Sequence, residues 1–139
     1  LTGPALRKQD SHHAIHEGAR AGAIAKTEEL IETIQKGDQK ATHDAALDLI
    51  DFWETRIIAH ADAEEEEGGL YAEIVKEQLE RQEDVTKLTR DHDLLRQLVQ
   101  QIKDELNENG FAMSMIDQFN ALVVINEMHS RDEEGLLHE

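Results

Sequence analysis

A chain of 139 residues is long enough for one domain with a real core; with 39% apolar and only 4% aromatic residues, that core must be built from Leu, Ile, Val and Ala. A formal charge of −17 excludes nucleic acid as a partner, since phosphate binding needs a basic surface, and instead favours solubility and the attraction of cations. The absence of cysteine rules out disulfides, thiolate metal sites and redox thiols.

No stretch approaches the ~20 apolar residues needed to cross a bilayer, so no membrane partner is expected. The compartment stays open, and a cytoplasmic one fits the composition. Leu1-Thr2-Gly3-Pro4 has neither an initiator Met nor the apolar core of a signal peptide. It reads as a processed end, with Pro4 expected to stand ahead of the first helix. One proline and no sustained β-branched alternation point to an all-α chain.

Four helical periods follow. The first is expected from about Leu6 to Gln35, with His12, Ile15 or His16, Ala19, Ala23, Leu30 and Ile34 at three- and four-residue steps. Lys36-Gly37-Asp38 ends it with a glycine stop. The second runs from about Lys40 to Glu67, with Ala46, Leu49, Trp53, Ile57, His60 and Glu64 on one face. Gly68-Gly69 interrupts it, and Leu70 to Leu79 reads as a short continuation.

The third period, from about Glu83 to Asn107, keeps Val85, Leu88, His92, Leu95, Val99, Ile102 and Leu106 in register before Asn109-Gly110. The fourth, from about Ala112 to Leu137, carries Met115, Phe119, Leu122, Asn126, His129 and Glu133. Short connections between long amphipathic helices predict an up-down-up-down four-helix bundle.

The chemistry lies in a doubled motif, His60-x-x-x-Glu64 and His129-x-x-x-Glu133. On a helix, residues four apart stack on one face one turn apart, so each pair can grip one ion or bridge two. Lone histidines precede each pair: His12, three residues before Ile15, and His92, three before Leu95. In an up-down-up-down bundle, the starts of helices one and three share an end with the finishes of helices two and four. All six groups then fall within ~15 Å of that end. The order also repeats in the two halves, which suggests a pseudo-two-fold pair of metals.

Buried imidazoles and carboxylates need partners or metals. Mixed nitrogen and oxygen donors suit iron, manganese or zinc, and six exceed the four of a structural zinc site. They fit two octahedral ions bridged by Glu64 and Glu133. Ferritin-like sites use E-x-x-H pairs, and none occurs here.

Some positions stay open. His12 and His16 can both face the bundle while His13 points outward; His12 is preferred because it aligns with His92, leaving His16 where Arg96 falls. Glu133 is preferred to Glu134, because a fifth residue rotates ~140° away from the histidine. His43 and His138 read as surface, Trp53 and Tyr71 as packing, and Asn126 as either a ligand-orienting or a helix-bridging amide.

Taken together, His12, His60-x-x-x-Glu64, His92 and His129-x-x-x-Glu133 resemble the hemerythrin-like, or HHE cation-binding, domain. Neighbouring residues match too: Phe52-Trp53, Glu64-Glu65 followed by Leu70-Tyr71, Asp91-His92-x-x-Leu95-Arg96, and Glu133-Glu134. The resemblance covers nearly the whole chain as one domain, residues 1–139. It implies a non-haem centre of two iron ions, with bridging carboxylates and an oxo or hydroxo bridge. Oxygen-carrying members place a second histidine where Arg96 stands and an aspartate where Glu134 stands; a guanidinium cannot ligate. The pattern is closer to the branch tied to peroxide, nitric oxide and iron-centre repair, although the cysteine-bearing extension of repair proteins is missing. The expected ligand is therefore a small diatomic or peroxide, with catalase-like turnover as the candidate activity. Two rivals remain, a non-catalytic iron or oxygen sensor and a plain bundle with incidental histidines. Nothing in the sequence sets the oligomeric state.

Overall fold

A computed structural model describes residues 3–138, with side chains from 11 to 137; Leu1, Thr2 and the side chains of Pro4, Leu6 and His138 lie outside that range. The protein is all-helical, and no strand occurs among the described residues. Helix α1 spans Gly3–Gln35 and α2 Gln39–Phe52. A π-helical turn, Trp53–Ile58, leads into α3, Ala59–Glu65. Helix α4 spans Leu70–Glu77 and is followed by a 3-10 turn, Leu79–Arg81. Helices α5, Gln82–Asn109, and α6, Ser114–His138, complete the chain.

Local chemistry sets these boundaries. Gly37 adopts φ +71°, ending α1, and the Asp38 carboxylate accepts the Ala41 N–H at 3.0 Å to cap α2. Gly68 at φ +81° turns the chain between α3 and α4. Gly110 at φ +80° closes α5, as expected for Asn109-Gly110, and its N–H bonds the Leu106 carbonyl. Pro4 does not precede the first helix. It sits inside its first turn, where the missing N–H costs nothing.

Helix α1 packs on α2 and α6, while α5 packs on α6, on α2 and on the π turn, giving a helical bundle. Trp53, Phe119, Leu30, Leu49, Leu95, Ile102, Leu106, Met115 and Leu122 are fully enclosed at its centre. Burying each is worth about 1.5–3 kcal/mol, so these stripes hold the helices in register. The Phe52 ring of α2 packs onto Gly22 of α1, where a Cβ would lie 2.5 Å from it. Ile15, read as an apolar stripe position, is 44% exposed; His12 and His16 take the inward face instead.

A second apolar cluster, of Leu70, Tyr71, Val85 and Leu88 with Leu136 and Leu137 against it, closes one end of the bundle. The short helix α4 thus folds back and carries Tyr71 inward. No helix among the described residues is long and apolar enough to cross a membrane.

Candidate metal centre

Between the two apolar clusters, the bundle brings together all six residues expected from sequence and adds His16 as a seventh. His12 and His16 come from α1, His60 and Glu64 from α3, His92 from α5, and His129 and Glu133 from α6. Their donor atoms fall into two groups of four, His12, His16, His60 and Glu133, and Glu64, His92, His129 and Glu133, each with all its atoms within 4.8 Å of one another. Either group could hold a metal ion.

The two carboxylates span both groups. Glu133 turns Oε1 toward His16 Nε2 at 3.3 Å and His12 Nδ1 at 3.4 Å, while its Oε2 faces His129 Nε2 at 3.2 Å. Glu64 likewise turns Oε2 toward His60 Nε2 at 3.5 Å and His12 Nδ1 at 3.7 Å, and Oε1 toward His92 Nε2 at 3.5 Å. Two donors ~2.1 Å from one ion lie ~3.0 Å apart at a right angle and ~3.4 Å apart at a tetrahedral angle. Most of the observed spacings fall within or close to that range, and the longest is a few tenths of an ångström beyond it.

The protonation pattern is more telling. His92 Nδ1 lies 2.7 Å from Glu65 Oε2, and His129 Nδ1 lies 3.0 Å from Asp91 Oδ2. A carboxylate only accepts, so both Nδ1 atoms donate, and in neutral rings both Nε2 lone pairs face inward. Those two Nε2 atoms are 3.0 Å apart. Two facing lone pairs at that distance repel unless a cation or a proton stands between them.

Five of the seven buried side-chain nitrogen and oxygen atoms without a hydrogen-bond partner, among the described residues, belong to this cluster: His12 Nδ1, His16 Nδ1, His60 Nε2, Glu64 Oε2 and Glu133 Oε1. Such atoms cost stability unless something binds them. The residues present therefore fit a metal-binding role.

Electrostatics agree. Burial works to raise the Glu133 pKa, but His12, His129 and His16 around it hold the carboxyl well below its usual range. His60 is raised, first by its bond to Glu64 and against the opposing effect of burial. Burial pulls His129 down, yet Glu133 and Asp91 outweigh it and the net shift is upward.

Three neighbours complete the picture. The Tyr71 hydroxyl donates to Glu133 Oε2 at 2.7 Å and lies 3.3 Å from His92 Nε2 and 3.4 Å from His129 Nε2. Its ring stacks on His92 at 5.4 Å and 8°. Burial and then the Glu133 charge push the phenol far above its usual value, so it keeps its proton. Arg96 does not reach the cluster. Its guanidinium bonds Asp62, Asp93 and Glu65, and Glu65 is the carboxylate that orients His92.

Sequence reasoning treated His12 and His16 as alternatives, whereas the fold brings both together. Their four-residue spacing was the available signal. Glu134 stands aside from the inner set, on His13 at 2.6 Å. Tyr71 packs in the second apolar cluster as its sequence context predicts, and its hydroxyl also reaches the centre. The chain matches no family model, no curated protein and no solved structure.

Proposed function

We propose that the chain is a hemerythrin-like di-iron protein, an up-down-up-down four-helix bundle that handles oxygen, peroxide or nitric oxide. In this reading His12, His16 and His60 would hold one iron and His92 and His129 the other, with the Glu64 and Glu133 carboxylates, which face both sets of imidazoles, available to both. The observation that carries it is the pair of inward-facing Nε2 atoms 3.0 Å apart, walled by two carboxylates that each address both groups. Five imidazoles and two carboxylates exceed the four donors of a tetrahedral structural zinc and suit two borderline first-row ions.

Bound together, two such ions supply electrons in pairs and a Lewis-acidic clamp for a small ligand. The protein's own groups do the rest. Glu65 and Asp91 fix the His92 and His129 tautomers. Tyr71 holds a proton 2.7 Å from Glu133 Oε2, within reach of the space between the groups. Leu70, Val85 and Leu88 exclude bulk water from the Tyr71 side.

Iron-loaded, reduced protein is expected to oxidise in air without a long-lived oxygenated form, and then to decompose hydrogen peroxide faster than its His129→Ala variant. A stable form that releases its gas under vacuum, with no peroxide turnover, would instead identify a carrier or sensor.

A further inference from the structure

A buried centre must be filled from water, and its surroundings differ in how well they admit a cation. On the α5 side, the fixed guanidinium of Arg96 lies over Glu65 and repels cations. On the α4 side, Leu70, Val85 and Leu88 form an apolar cover. Beside His60 a pocket of about 20 Å³, lined by His16, His60, Glu64, His92 and His129 together with Ile15 and Arg56, has room for about one water and none for a hydrated ion.

The seam between α1 and α6 is different. His13 Nδ1 lies 2.6 Å from Glu134 Oε1, and the same oxygen lies 3.8 Å from His16 Nδ1. His16 Nε2 is in turn 3.3 Å from Glu133 Oε1, a buried oxygen without a hydrogen-bond partner. Side-chain exposure falls along this ladder from 63% at His13 to 19% at Glu134, 11% at His16 and zero at Glu133. Alternating nitrogen and oxygen donors, none more than 4 Å from the next, run from the surface to the centre.

Alongside the ladder lies a cavity of about 270 Å³, lined by His16, Glu17, Ser130, Arg131 and Glu134 among others. An ion with six waters needs ~180 Å³ at ~30 Å³ per water, so a hydrated divalent cation fits and can shed its waters there. Arg20 in the same wall is neutralised by its pairing with Glu127. Arg131 is the other cation that lines the cavity.

Resting on the metal-centre reading above, we propose that His13 and Glu134 form the surface station at which a divalent cation is taken up and passed by His16 to Glu133. Their part is in the rate of filling, since neither belongs to the two inner groups.

The test mixes metal-free protein with cobalt(II) and follows binding by visible absorption and by quenching of Trp53, the only tryptophan, which lines the cavity. The double change His13→Ala, Glu134→Gln should slow filling roughly tenfold, as loss of local electrostatic steering does. Cobalt content at equilibrium should stay at the wild-type level. Arg131→Gln should act in the opposite direction, speeding filling about twofold. Filling of the double variant at the wild-type rate would overturn the proposal, as would normal filling to a lower final content, which would make the two residues ligands. Wild-type protein that takes up no cobalt would overturn the metal-centre reading, and this inference with it.

Discussion

Glu133 is fully buried and belongs to both donor groups, so Glu133→Gln perturbs both at once while preserving shape. The amide nitrogen cannot ligate, and the variant loses the charge that faces His12, His16 and His129. An ion present at ~100 times its dissociation constant stabilises the folded chain by ~2.7 kcal/mol, and at ~1,000 times by ~4.1 kcal/mol. Two ions would therefore add roughly 5–8 kcal/mol, or about 15–25 °C at ~3 °C per kcal/mol for a chain of this size. The assay is a thermal melt of metal-free and metal-loaded protein by circular dichroism, with each variant compared to its own metal-free baseline. At least half the metal-linked shift should vanish in Glu133→Gln, and chelator should reverse the shift in the wild type. Equal shifts in the two proteins would refute a carboxylate shared between two ions.

Further outcomes follow from neighbouring groups. His12→Ala and His16→Ala should each lower metal content by about one ion per chain, measured by elemental analysis, because both imidazoles belong to the same group. Arg96→Gln should weaken metal retention against a chelator by about 10–100-fold, because it frees Glu65 to let the His92 ring turn. Unchanged retention would reduce Arg96 to a surface ion pair. In metal-free protein, the raised His60 and His129 add stability that is complete below the unfolded imidazole value of ~6.5 and is lost as pH rises through their folded values. Denaturant melts should therefore weaken from pH 6 to pH 9, and a rise over that interval would contradict the assignment.

Much of the helical layout was legible because it rests on period and punctuation. The Leu88, His92, Leu95, Val99 and Ile102 register of α5 and the Gly110 stop follow from spacing alone, and both are observed. His60 with Glu64 and His129 with Glu133 were legible for the same reason. What escaped was tertiary. Tyr71 reaches Glu133 because Gly68 turns α4 back against α5, a direction that no local pattern specifies. The π turn at Trp53–Ile58 was hidden because Trp53, Ile57, His60 and Glu64 keep spacings that an ordinary helix would also give. Its widened backbone, with the Ala59 N–H bonded to the Glu54 carbonyl, lies immediately before His60, and such turns often accompany functional sites. His16 was set aside by expecting both halves to match, yet α1 offers two imidazoles where α5 offers one imidazole and an arginine that faces away.

The central claim is that the cluster holds two ions, and metal stoichiometry tests it most directly. Protein purified after iron-supplemented growth, assayed by elemental analysis alongside its near-ultraviolet spectrum, should contain close to two irons per chain and absorb beyond what Trp53 and Tyr71 provide. Protein that carries no iron, shows no such absorption and takes up none on anaerobic reconstitution would contradict the account.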